Sequence, residues 1–264
     1  MAETKVIIMG AGGRMGSTLV DLARQDQDLR LVGVVEKEER LEQIRAGDLL
    51  ADSDPRNVFS GHPDAVVVDF SHPEATVETV KAAGESRNPV VTGTTGFNDS
   101  QNQILEEAAL RIPLFMAPNM SVGINVLLEI LPRLAALLGP DYDLEISEIH
   151  HRHKKDAPSG TAVKLARILA ELRGWEEGAL RYGRQGMIGE RPEKEIGVQS
   201  LRGGDVVGEH TVYFMGPGER IDLTHRVYSR NTFAQGALRA AKWLCTKPAG
   251  RIYSMPDLFA DLME

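Results

Sequence analysis

At 264 residues the chain is longer than one α/β core usually supports, so two domains are expected. Hydrophobic residues make up 42% and charged residues 26%, an ordinary globular composition that excludes extended disorder. The net charge of -8 argues against nucleic acid or an anionic membrane as the main partner, and no apolar run approaches the ~20 residues of a membrane span. Cys245 is the only cysteine, which excludes an intrachain disulfide and suits a cytoplasmic protein; its setting in RAAKWLCTK reads as a buried helix position.

The first segment, KVIIMGAGGRMGSTLVDLARQ, passes from a β-branched strand through a glycine turn into an amphipathic helix. That order opens a dinucleotide-binding βαβ unit, with Gly10, Gly13 and Gly16 fitting G-x-x-G-x-x-G rather than the strict G-x-G-x-x-G. Glycine permits positive φ and close approach to a pyrophosphate, and the helix start supplies N–H donors. The plain alternative is a tight turn with no ligand. LRLVGVVE then reads as a second strand ending in Glu36, about 20 residues past the turn, where a carboxylate can accept from an adenosine ribose. Lys37 follows at once and could meet a 2′-phosphate, so both NADH and NADPH are open, unless the charged run EKEER is only a solvated turn.

Residues 41–63 are polar and read as loops without a functional assignment. DAVVVDFSHPEATVETVKAA, PVVTGTTGF and IPLFMAPNMSVGIN each begin with an unalternating apolar strand, as expected in a parallel sheet covered on both faces. Their strand ends, Ser71-His72, Gly93-Thr94-Thr95 and Ala117-Pro118-Asn119-Met120, would wall one cleft beyond the carboxyl edge of the sheet. After Gly123, NVLLEILPRLAALLG reads as an apolar helix and DYDLEISEIHH as a strand, and the domain change is placed here. Residues 181–227 alternate like antiparallel or mixed strands, and NTFAQGALRAAKWLCTK returns as a helix.

The stretch Glu148–Leu172, EIHHRHKKDAPSGTAVKLARILAEL, is the expected chemical centre. Pro158-Ser159-Gly160-Thr161 occupies the cap of a predicted helix, whose N-terminus favours an anion, and Arg152, Lys154 and Lys155 add charge upstream. A bare capped helix is the alternative for PSGT alone. His150, His151 and His153 would not converge on a metal, because an extended start sends neighbours to opposite faces, so no metal is expected. A His/Lys pair can instead hold a carboxylate while protonating a carbon or nitrogen that receives hydride.

HHRHKKDAPSGTA, together with GAGGRMG, VTGTTG and APNMSVGIN, closely resembles the dihydrodipicolinate reductase family over essentially the whole chain. The resemblance implies an NADH- or NADPH-dependent oxidoreductase of lysine and diaminopimelate synthesis. It implies an α/β fold: a Rossmann dinucleotide-binding domain, residues 1–122 and 230–264, and an α+β domain with a mixed open sheet, residues 123–229. The second domain would bind a cyclic dicarboxylate and build a homotetramer. Carried over by motif, His150 and Lys154 resemble the catalytic acids, and His151, Gly160 and Thr161 the substrate contacts. Gly10, Ala11, Gly12, Gly13, Arg14, Met15, Glu36, Lys37, Gly93, Thr94, Thr95, Ala117, Pro118, Asn119 and Met120 resemble the cofactor contacts. Lys37 stands where many members have arginine and Met120 where an aromatic residue is frequent. Rival readings are another Rossmann oxidoreductase acting on an amino or keto acid, and a non-catalytic NADP-binding redox sensor.

Overall fold

Strand β1 (Thr4–Met9) buries Val6, Ile7 and Ile8 completely, which an unalternating strand can do only in a sheet covered on both sides. The computed structural model describes residues 3–44 and 49–263. From β1 the chain continues through α1 (Arg14–Gln25), β2 (Leu29–Val35), α2 (Glu38–Ile44), β3 (Leu50–Asp52), α3 (Pro55–Gly61) and β4 (Val66–Asp69). It goes on through α4 (Pro73–Ser86), β5 (Val90–Thr92), α5 (Asp99–Ala109), β6 (Leu114–Met116) and α6 (Val122–Leu138). Strand β7 (Asp143–His150), α7 (Gly160–Arg173), β8 (Leu180–Tyr182), β9 (Ile196–Arg202), β10 (Gly208–Gly216) and β11 (Glu219–Val227) follow. The chain ends with α8 (Asn231–Leu244), β12 (Ile252–Tyr253) and α9 (Met255–Met263).

Two compact units result, Met1–Val122 with Asn231–Glu264, and Gly123–Arg230. The first holds a seven-stranded sheet in the order β12-β6-β5-β4-β1-β2-β3, with every pair parallel. Leu19 and Ala23 of α1 and Ala237, Leu238 and Ala241 of α8 close one face, while Val80 and Ala83 of α4 and Leu105 of α5 close the other. Each buried leucine or valine among these contributes about 1.5–3 kcal/mol. Helix α8 thus completes the sheet's cover from the far part of the sequence.

The second unit is a five-stranded sheet, β11-β10-β7-β9-β8, antiparallel at β11/β10 and β10/β7 and parallel at β7/β9 and β9/β8. In β7 the buried positions alternate strictly, so Leu144, Ile146, Glu148 and His150 share one face. Leu127 and Leu131 of α6 and Leu165 and Leu169 of α7 pack with Leu144 and Ile146 there.

Two expectations need correction, and one element went unread. Residues 41–63 contain β3 and α3; the signal was Asp54, whose side chain accepts from Arg56 N–H, followed by Pro55 in the first helical turn. Cys245 lies just beyond α8 and is exposed, because the helix stops at Leu244 and the thiol turns back to the Lys242 carbonyl. The short strand β12, in the segment GRIYS, adds an edge that its two residues could not signal.

Candidate active site

In the first unit the glycine turn has the geometry of an anion cradle. Gly10 has φ +61, in the left-handed region, and a Cβ on Gly16 would stand 1.9 Å from the Gly10 carbonyl oxygen, so α1 starts closer to β1 than any side chain permits. Gly13 caps α1 with no side-chain hydrogen bond, and the first turn carries no acidic residue, which leaves the helix start suited to a pyrophosphate. Arg14 is exposed, Met15 and Ala11 pack on the core below, and Gly12 donates its N–H to Glu36 Oε2 at 2.8 Å. The other carboxylate oxygen of Glu36 accepts from Lys37 N–H at 2.8 Å. Glu36 therefore braces the glycine turn, and its spare lone pairs are what remain for a ribose. Exposed Lys37 has company the sequence did not suggest: the Arg40 Cδ lies 3.5 Å from where a Gly12 Cβ would be. These residues fit a dinucleotide.

The other cofactor candidates sit at the carboxyl ends of the neighbouring strands β5 and β6. Gly93 is required by packing, since a Cβ there would come within 2.2 Å of the Phe70 ring. Thr94 is buried and its hydroxyl lies 2.9 Å from that of Thr76, which gives its one proton to the buried Asp69; burial raises the Asp69 pKa. Thr95 and Pro118 are exposed, while Ala117 and Met120 are buried. The Met120 side chain belongs to the core, so only its backbone is available to a cofactor; its carbonyl oxygen would stand 1.8 Å from any Cβ on Gly236. The Asn119 side chain accepts from Ser121 N–H at 3.0 Å.

In the second unit β7 delivers Glu148 and His150 to the covered face. Glu148 is wholly buried, and both oxygens are filled: Oε2 meets His150 Nδ1 at 2.6 Å and Arg202 Nη1 at 2.7 Å, and Oε1 meets Arg202 Nη2 at 2.7 Å and Ser159 N at 3.0 Å. Although burial opposes the charge, the Arg202 guanidinium and the other donors hold the Glu148 carboxyl down at about 2. A carboxylate can only accept, so His150 donates through Nδ1 and its exchangeable site is Nε2. Burial lowers the His150 pKa, and Glu148 partly offsets this.

Ser159 caps α7, accepting from Ala162 N–H, and shares a 2.8 Å hydrogen bond with His210 Nε2. Gly160 and Thr161 follow in the first turn, exposed and half-buried. No positive φ demands glycine at 160, and a Cβ there would meet open space, so a ligand alone could exclude a side chain. Lys154 pairs with Asp156 Oδ2 at 2.9 Å. His151 Nδ1 is buried and, among the described residues, has no hydrogen-bond partner. No group of three or more His, Cys, Asp or Glu among the described residues is placed to hold a metal.

The family description "Dihydrodipicolinate reductase, N-terminus" matches residues 4–120, and "Dihydrodipicolinate reductase, C-terminus" matches residues 123–259. The chain belongs to the dihydrodipicolinate reductase family. It is 55% identical over 258 residues to a 4-hydroxy-tetrahydrodipicolinate reductase of Nitratidesulfovibrio vulgaris (strain DP4), covering 97% of this chain and 100% of that protein. A protein of the same name from Anaeromyxobacter dehalogenans (strain 2CP-C) is 46% identical, covering 97% of each. Among solved structures, a dipicolinate-bound dihydrodipicolinate reductase from Paenisporosarcina sp. TG-14 superposes with TM-score 0.76 at 25% identity, covering 96% of this chain and 97% of that one.

Two motif residues of the second unit, His150 and Ser159, meet at one carboxylate, Glu148. Glu148, Arg202 and His210 were missed because Arg202 and His210 lie on other strands, 54 and 51 residues beyond their partners. Sheet register joins them: Glu148 stands opposite His210 on β10 and Ser200 on β9. The only sequence signal was an acidic residue at an inward position of an alternating strand.

Proposed function

We propose that the protein reduces 4-hydroxy-tetrahydrodipicolinate to tetrahydrodipicolinate in lysine and diaminopimelate synthesis, using NADH or NADPH. The ring gains a hydride and a proton and loses its hydroxyl as water. The observation that carries the reading is His150, held through Nδ1 by buried Glu148, on a strand that runs into Lys154 and the helix start Ser159-Gly160-Thr161. The N–H groups of Gly160 and Thr161 and the Thr161 hydroxyl take one carboxylate, favoured by the positive end of α7. Lys154, released from Asp156, takes the other, with His151 beside it. His150 protonates the reacting system through Nε2, and the dicarboxylate raises its lowered pKa toward neutrality as it binds. Bound to the first unit, the dihydronicotinamide supplies the hydride.

The relatives' name and the dipicolinate in the neighbouring structure both support a cyclic dicarboxylate as ligand. A homotetramer formed through the mixed sheet is supported by the sheet's second face, where register aligns Leu201, Ile149 and Glu209 in one row and Ser147 with Thr211 in the next. A cytoplasmic location accords with the single exposed cysteine, and no helix among the described residues is long and apolar enough to cross a membrane. Loss of NADH or NADPH absorbance on adding the condensation product of pyruvate and aspartate semialdehyde tests the function. Oxidation equally fast without that product, or none with it, refutes it.

A further inference from the structure

We propose that Glu148 and Arg202 form a positioning pair that sets the tautomer and proton affinity of His150 and ties it to the anion-binding start of α7. The inference rests on the reading of His150 as the acid. Its ground is one carboxylate, fully buried, that shares four hydrogen bonds among three elements. Oε2 receives the His150 ring and Oε1 the first donor of the α7 cap, so the acid and the helix start are held by the two oxygens of one side chain. Arg202, from β9, closes the carboxylate with a two-pronged grip and anchors itself on the Asp156 carbonyl at 2.7 Å.

Each partner has a separate physical consequence for His150. Donation to a permanent acceptor pins the proton on Nδ1 and leaves Nε2 to exchange. Gly208 keeps that nitrogen clear, since a Cβ there would lie 3.0 Å from Nε2. The charges facing His150 are Glu148 on its own strand, Arg202 on β9, Lys154 from the loop, and His210 on β10, whose ring lies 5.2 Å away edge-on. Burial makes His210 neutral, so it adds no charge at neutral pH. Glu148 favours the protonated imidazole, whereas Arg202 and Lys154 oppose it. Because Glu148 and Arg202 act with opposite sign, removing them one at a time must move His150 in opposite directions. A merely structural ion pair would not do so.

The test is an NMR titration of the His150 ring in the ligand-free protein, together with the pH profile of turnover. Glu148→Gln keeps an oxygen for Ser159 N–H but removes the charge, so the His150 midpoint falls by about one unit or more and kcat falls about tenfold or more, with KM for NADH unchanged. Arg202→Gln leaves the carboxylate without its guanidinium, so the His150 midpoint rises; Arg202→Lys, which restores the charge, returns it toward the wild-type position. Should Glu148→Gln fail to fold, the two Arg202 variants carry the test. A His150 midpoint unmoved by these changes, or moved in the same direction by both neutral substitutions, overturns the proposal. That failure is separate from failure of the acid reading, which is shown by normal turnover in His150→Gln.

Discussion

The Ser159 hydroxyl lies 2.8 Å from Nε2 of His210, so the cap of α7 is fastened to a buried imidazole 51 residues further along the chain. Burial brings the His210 pKa down from 6.5 to about 4. Between these values the unfolded chain binds a proton that the folded chain refuses. The stability associated with neutral His210 is therefore present above pH 6.5 and lost as pH falls toward 4. By pH 5 this single group should remove about 2 kcal/mol relative to neutral pH. Urea unfolding at pH 7 and pH 5 should show the loss in the wild type and a smaller one in His210→Gln; equal losses would mean the slope comes from other groups.

His150→Gln and Lys154→Ala should each lower kcat by ~10²–10⁴, the usual contribution of a general acid. NADH binding should be almost unchanged, because its proposed cradle lies in the other unit. Stopped-flow turnover and a fluorescence titration of NADH give the two readouts, and near-normal turnover in both variants removes the assignment.

NADH and NADPH should serve within about tenfold of each other, about 1.4 kcal/mol. Glu36 is drawn inward by Gly12 and Lys37 N–H, while the side chains of Lys37 and Arg40 remain exposed beside it. Lys37→Ala and Arg40→Ala should each weaken NADPH more than NADH. If calorimetry finds both cofactors weakened equally, these are surface charges only.

Thr161→Val keeps the backbone donor and loses one hydrogen bond to a charged group, typically ~1.5–3 kcal/mol, so KM for the dicarboxylate should rise clearly. Gly160→Val should abolish binding of pyridine-2,6-dicarboxylate with the fold and NADH affinity intact, since the protein itself leaves room for a Cβ there. Unchanged dicarboxylate affinity by calorimetry would reduce PSGT to a helix cap.

The Rossmann half was legible from the chain because its determinants are local. Gly10, Gly13 and Gly16 answer backbone demands within one turn, unalternating strands such as AVVVD announce a doubly covered sheet, and Ser159 ahead of an apolar period announces α7. The motif around His150 was likewise readable as a string. Short-range patterns did not reveal β12, which exists only because β6 offers it an edge, or that Cys245 falls outside its helix. Nor did they show that Gly93 answers to Phe70 and Met120 to the core. Above all, the sequence named His150 but not what governs it. The Glu148 carboxylate that holds its Nδ1 is local, two residues back on β7, but which guanidinium neutralises that carboxylate and which imidazole lies beside it depend on the register of β7 against β9 and β10. Register is a property of the assembled sheet, fixed when the alternating faces of distant strands are buried together.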